Sequence, residues 1–337
     1  MITARGLARR FTARGRTVDA VRGVDLDVAP GELVAFLGPN GAGKTTTLRM
    51  LTTLLRPTAG TAVVGGYDLL ADPGGVRKHV GYVAQRGGTV AERKVFEEIE
   101  LQARLYGLSK TEARRRSSEM IGQFDLAGLD QRLNRTLSGG QRRRLDIALG
   151  LVHSPSLLFL DEPTASLDPQ SRANLWGHIR SIRAEQGTAV FLTTHYLDEA
   201  DSLADRVIVI DHGKIVAEGT PDQLKAVVSG DDLTISVPVA QVQRAAEVAA
   251  RLPGVDTVHP GADTIRFRVS NGALAIPVLM RALDAAEVTA TAMNVRRPSL
   301  DDVFFTLTGR SLRDEGELPG RPVAGESTGI EETADVA

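Results

Sequence analysis

The 337-residue chain contains no cysteine, which excludes structural disulfides and thiolate metal sites but does not fix a compartment. It has no apolar run approaching the roughly 20 residues needed to cross a bilayer. Its first residues, Met1-Ile-Thr-Ala-Arg-Gly-Leu7, hold no apolar signal core. A basic excess is missing too. Forty Lys and Arg against 42 Asp and Glu leave a formal net charge of −2, whereas a general nucleic-acid binder is usually distinctly basic. The expectation is a soluble protein without a nucleic-acid partner, reaching a membrane only through another chain. Hydrophobic content of 42% and charged content of 24% are ordinary for a globular protein, and the length allows one large domain and a smaller one.

The stretch that organises the rest is Leu33-Val-Ala-Phe-Leu37 followed by Gly38-Pro39-Asn40-Gly41-Ala42-Gly43-Lys44-Thr45-Thr46. The apolar run predicts a buried strand, the glycine-rich turn a phosphate loop, and Thr46 to Leu51 the start of a helix. Gly38, Gly41 and Gly43 let successive N–H groups point into one concavity at a helix N-terminus that carries partial positive charge. Lys44 would reach the β- and γ-phosphates, and the Thr45 hydroxyl would ligate Mg²⁺. These residues predict a nucleoside triphosphate site, and alone they leave kinases, GTPases, helicases and transporters open.

Further strands are predicted at Val24–Val28, Thr61–Val64, His79–Gln85, Leu157–Leu160, Ala189–Thr193 and Val207–Ile210, with helical segments between them. Near-continuous apolar strands alternating with helices predict an α/β fold around a covered parallel sheet. Residues 86–154 read as an inserted helical subdomain. The nucleotide-domain pattern stops near residue 225, and a chain ending there is expected to fold and bind nucleotide by itself. Residues 226–310 follow in the order strand, helix (Ala240–Leu252), strand, strand (Thr264–Val269), helix (Ala273–Ala286), strand (Val288–Val295). That order predicts a small α+β unit of ferredoxin-like type. Pro298 to Arg310 predicts a final helix with Ser299 as its N-cap. Residues 311–337 are dominated by glycine, proline and acidic residues and predict a disordered tail.

The remaining motifs narrow the class. Leu137-Ser138-Gly139-Gly140-Gln141 precedes Leu157-Leu-Phe-Leu-Asp161-Glu162-Pro163, followed by Ser166-Leu-Asp168 and by His195 after Phe191-Leu-Thr-Thr194. Through residue 225 or so, the order and spacing resemble the ATP-binding-cassette (ABC) family of P-loop NTPases. Asp161, at the end of an apolar strand, is placed to hold Mg²⁺. Glu162 beside it would act as general base on the attacking water. On its own such a pair would more often be a solvated turn. The resemblance implies that His195 contacts the γ-phosphate and that Gln85 senses metal or water. It also implies that Ser138, Gly139, Gly140 and Gln141 contact the ATP of a second subunit, with the Asp168 segment lining the interface. In the family an aromatic residue stacks on adenine. Phe11 is the candidate, with a core or edge phenylalanine as the other reading. Arg142-Arg-Arg144 would ordinarily be a solvated charge run, although positive charge at a helix start opposes the helix dipole unless an anion is near, which fits phosphate proximity weakly.

One cassette without membrane spans resembles a separate ATP-binding subunit of a bacterial transporter. Gln102–Leu108, Gly213–Pro221 and Ser299–Arg310 resemble the daunorubicin-resistance type of exporter ATPase. The D-loop departs from that group, reading Ala165-Ser-Leu-Asp168, as does Ala91–Glu98 near the expected permease-coupling surface. The resemblance implies ATP hydrolysis coupled to efflux of a drug-like compound, with ATP and Mg²⁺ as cofactors. It also implies a homodimer with two ATP at its interface and an integral-membrane permease at the cytoplasmic face of a bacterial cell membrane. A soluble cassette acting without a permease, in regulation, translation or repair, is the alternative. A single cassette with no cysteine and no heptad insertion counts against it.

Overall fold

The computed structural model describes residues 1–309 apart from 14, 229 and 256, so the expected tail at 311–337 lies outside the described residues. Strands β1 (Ile2–Ala13) and β2 (Arg16–Val28) form a long antiparallel hairpin. β3 (Leu33–Leu37) then leads into α1 (Lys44–Leu51), followed by β4 (Ala59–Val64) and β5 (Tyr67–Asp68). Helix α2 (Pro73–His79) starts on an Asp72 cap, with Pro73 supplying a preset φ, and gives way at once to β6 (Val80–Val83). Helices α3 (Val95–Leu105), α4 (Lys110–Gln123) and α5 (Gly139–Leu151) follow. After them come β7 (Leu157–Asp161), α6 (Pro169–Gln186), β8 (Ala189–Thr194), α7 (Leu197–Leu203), β9 (Arg206–Asp211), β10 (Lys214–Gly219) and α8 (Pro221–Val227).

The central sheet has the order β10-β9-β3-β8-β7-β6, parallel except for the antiparallel edge pair β10–β9. Every residue of β3, β7 and β8 is buried, as expected for strands covered on both faces. Their alternate side chains divide between two cores. Leu33, Ala35 and Leu37 join the core formed with α3–α8, whereas Val34 and Phe36 join the one formed with α1, α2 and the N-terminal strands. Those strands make a separate antiparallel sheet, β2-β1-β4-β5. Several strand limits differ from the sequence reading, with β2 starting at Arg16 rather than the expected Val24 and the final strand of the chain at Ala292 rather than the expected Val288. His79 closes α2, and β6 ends at Val83, so Gln85 stands in the turn beyond the strand.

The C-terminal unit comprises β11 (Asp231–Ser236), α9 (Val242–Ala250), β12 (Val258–Pro260), β13 (Thr264–Val269), α10 (Gly272–Ala285) and β14 (Ala292–Arg296). Its antiparallel sheet has the order β12-β13-β11-β14, the ferredoxin-like arrangement, over a core of its own. The final helix, α11 (Leu300–Thr308), begins on a Ser299–Asp302 capping box. It leaves this unit: Leu300, Val303 and Phe304 are buried in the same core as Leu224 and Val228 of the α8 region. Residues 300–308 therefore pack with the cassette, and the ferredoxin-like unit is an insertion between two of its helices.

Candidate nucleotide-hydrolysis site

β3, in the middle of the central sheet, delivers the phosphate loop at the sheet's carboxyl end. Gly43 stands at φ 108, and a Cβ there would sit 2.6 Å from the Ala20 carbonyl oxygen. A Cβ on Gly38 would collide with the Ile210 carbonyl. Only glycine fits either place. No side chain caps α1, which leaves its first N–H groups turned into the loop. Lys44 is 4% exposed and folds back, donating to Gly38 O (2.7 Å) and Pro39 O (3.0 Å) with Glu162 Oε1 3.4 Å away. The loop opens on a cleft of about 330 Å³, lined by Asn40, Gly41 and Gly43 to Thr46 on one side and by Ala20, Gln85 and Glu162 on the other. A larger cleft, about 620 Å³, lies on the outer face of the C-terminal sheet and holds none of these residues.

The acid side of the site comes from β7 and β8. Asp161, 1% exposed, accepts from Thr45 Oγ1 (3.0 Å) and Thr193 Oγ1 (2.7 Å) through Oδ1. Glu162 follows in a left-handed conformation, φ 44. Its N–H donates to both the carbonyl and the hydroxyl oxygen of Thr193, each at 3.1 Å. Gln85 Nε2 donates to Glu162 Oε2 at 2.8 Å. His195 Nδ1 stands 3.2 Å from Glu162 Oε1, within ion-pair reach. Burial disfavours the Glu162 carboxylate, but His195 and the Lys44 charge outweigh it and hold the pKa below the usual glutamate value. Glu162 thus stays ionised and able to accept a proton at neutral pH. Thr193 escaped the sequence reading. Its only local signal is its place two residues before His195 at the end of an apolar strand. The donor set of hydroxyl, carboxylate and amide oxygens at Thr45, Asp161 and Gln85 suits a hard divalent cation.

The second glycine-rich motif lies elsewhere. Ser138 caps α5, accepting from Gln141 N, while Gln141 Oε1 accepts from Ser138 N. Ser138 and Gly139 are exposed, a Cβ on Gly139 would meet nothing within 4 Å, and none of residues 138–141 lines the phosphate cleft. Gly140 packs against α6, where a Cβ would lie 2.8 Å from Ser171 Oγ. Asp168 caps α6 by accepting from Ser171 N (2.9 Å) and Oγ (2.6 Å). Phe11 is 38% exposed on the β1–β2 hairpin, opposite Val18, with the Arg9 guanidinium 4.7 Å from its ring centre. It does not line the phosphate cleft either.

The arginine run is solvated only in part, for Arg142 is exposed but Arg143 is buried. Arg143 is 6% exposed and donates to Ala84 O (2.6 Å), Asp161 O (3.0 Å) and Pro163 O (2.7 Å). Arg144 reaches Phe124 O at 2.9 Å, and Arg142 reaches Asn134 O at 3.3 Å. Helical spacing carries the missed signal for Arg143, which shares a stripe with Ile147 and Leu151, both fully buried.

Comparison with known proteins agrees with this geometry. Residues 21–165 match the family described as ABC transporter, and residues 219–308 match the ATP-binding protein DrrA1-3-like C-terminal domain. The chain is 42% identical over 312 residues to the daunorubicin resistance ATP-binding protein DrrA3 of Streptomyces coeruleorubidus, covering 93% of this chain and 97% of that protein. The chain belongs to the ABC transporter family. It is 44% identical over 304 residues to the daunorubicin/doxorubicin resistance ATP-binding protein DrrA of Streptomyces peucetius, covering 88% of this chain and 89% of the relative. Among solved structures, a dimeric bacterial ABC transporter cassette superposes with a TM-score of 0.61 at 25% identity, over 65% of this chain and 98% of that one. As an ABC cassette this chain is an ATP-binding ATP hydrolase. Among the described residues no helix is long and apolar enough to cross a membrane.

Proposed function

We propose that this ATPase is the energy-supplying subunit of an exporter for a drug-like or other hydrophobic compound, working on a separate integral-membrane permease. The names of the relatives support the exporter reading. The observation that carries the chemistry is that Lys44, Thr45, Gln85 and Glu162 line one cleft, with Asp161 bonded to Thr45 and His195 beside Glu162, while none of residues 138–141 lines it.

In this reading the α1 N-terminus and Lys44 bind the β- and γ-phosphates, with Lys44 exchanging its loop carbonyls for phosphate oxygens. Thr45, Asp161 and Gln85 would hold Mg²⁺, which when bound neutralises phosphate charge. Glu162 takes the proton of the attacking water. His195, on the far side of the same carboxylate, orients that water and contacts the γ-phosphate. Phe11 stacks on adenine. The exposed Ser138–Gln141 loop then completes the site of a second copy, with Asp168 beside it, so that two ATP molecules lie at the interface of a homodimer. The dimeric cassette among the structural relatives supports that assembly. Dimer closure drives the permease, and hydrolysis resets it.

Glu162→Gln keeps the size and hydrogen bonding of the side chain but cannot accept a proton, so turnover should fall by about 10²–10⁴-fold with ATP still bound. A closed dimer should then accumulate with Mg-ATP, read by light scattering on the chain alone and with its permease. Adding Gly139→Asp sets a carboxylate against the γ-phosphate of the other copy, and the dimer should disappear while single-chain ATP binding is retained. If the double variant dimerises as well as Glu162→Gln, the loop does not act across subunits.

A further inference from the structure

We propose that Arg143 is a positioning residue for hydrolysis, holding Glu162 and Gln85 in one arrangement through the backbone carbonyls beside them. This rests on the ATPase reading above. The three carbonyls that Arg143 engages come from segments far apart in sequence. Ala84 O immediately precedes Gln85, and Asp161 O and Pro163 O flank Glu162. A guanidinium is planar and presents its donors as a rigid fork, so the three acceptors are held relative to one another as well as to the helix.

Glu162 needs such restraint. Its φ of 44 places a long side chain in the left-handed region, a strained conformation that persists only where the surroundings over-determine it. Thr193 fixes the Glu162 N–H from one side. Arg143 fixes the carbonyls before and after the residue from the other. Because Ala84 hangs on the same fork, the Gln85 amide is delivered to Glu162 Oε2 by the group that shapes the Glu162 turn.

Arg143 also stands little more than one turn into α5, whose first residue is Gly139. A displacement of the exposed end of that helix is therefore carried by one side chain to the catalytic carboxylate of the same chain. Contact between the Ser138–Gln141 loop and a second copy's nucleotide would then be felt at the first copy's own Glu162. The carbonyls that Arg143 engages, at residues 84, 161 and 163, lie outside the phosphate loop, so ATP binding and hydrolysis should separate on its substitution.

The test uses the full-length chain and Mg-ATP. Arg143→Lys keeps the charge without the fork, and Arg143→Gln keeps donors without the charge. A misplacement of about 1 Å costs roughly a hundredfold, so kcat should fall about 30- to 100-fold in either folded variant. KM should stay within about threefold, and the Lys variant should retain more activity than Gln. In a Glu162→Gln background, Arg143→Lys should cost clearly less than in the parent, since the carboxylate it positions is gone while Gln85 remains. Unchanged kcat in both variants, or an equal loss in both backgrounds, would overturn the proposal. A parent chain that binds no ATP would instead sink the ATPase reading. Where the parent turns over too slowly alone, a crystal structure of Arg143→Gln decides. Glu162 should leave its left-handed φ and lose the Gln85 contact, and retention of both would refute the role.

Discussion

Two helices of this chain carry glycine-rich N-termini, and they are built in opposite ways. The α1 end is walled in. Gly38 and Gly43 press against the Ile210 and Ala20 carbonyls, no side chain caps the helix, and Lys44 lies buried over the loop. Its N–H groups are left for a ligand entering the cleft. The α5 end is self-sufficient. Ser138 and Gln141 cap each other, and Gly139 faces open space. Such an end needs no ligand to be stable, and nothing in its own cleft lies before it. One polypeptide thus holds one glycine-rich helix end turned into a cleft and another, self-capped, turned outward. This division is the feature of the chain that supports the proposed dimer.

Lys44→Ala should break the comparison on its α1 side. It removes the ammonium that meets the phosphates and leaves the Gly38 and Pro39 carbonyls to water. ATP affinity should fall tenfold or more, about 1.4 kcal/mol. The exposed α5 end should keep its cap. Isothermal titration of the purified chain reads the change. Full-strength ATP binding by the variant would mean that this loop is not the phosphate site.

How much of this was legible in the chain itself depends on how local the cause is. β3, β7 and β8 are apolar throughout because both faces are covered, so their runs stood out. The β1–β2 hairpin was legible only in pieces. Register shifts around Leu7 and after Arg9 interrupt the two-residue period that reveals a half-buried strand. The C-terminal unit alternates cleanly, and its strand order follows from its element order. For α11, Leu300, Val303 and Phe304 mark one apolar helix face, but spacing cannot say which of two cores receives it. The motif residues of the site were legible because loop chemistry needs them at set spacings. Thr193 and Arg143 were not. Their roles consist of bonds to Asp161, Glu162, Ala84 and Pro163, which only the fold brings near.

Ser138→Ala sharpens the α5 side with the smallest effect. The substitution deletes the oxygen that accepts from Gln141 N and keeps the backbone N–H that donates to Gln141 Oε1. Loss of such a cap costs about 1 kcal/mol, and the thermal midpoint should drop by a few degrees at most, as roughly expected for a chain of this size. The phosphate cleft contains none of the α5 loop, so ATP affinity of the single chain should not move. In a Glu162→Gln background the ATP-held dimer should weaken measurably, because the hydroxyl and the ordered helix end are both presented to the second copy. Titrations on dilute single chains and light scattering on concentrated ones separate the two effects. A fall in single-chain affinity comparable with that of Lys44→Ala would place the α5 end in its own chain's site and remove the contrast on which the dimer reading stands.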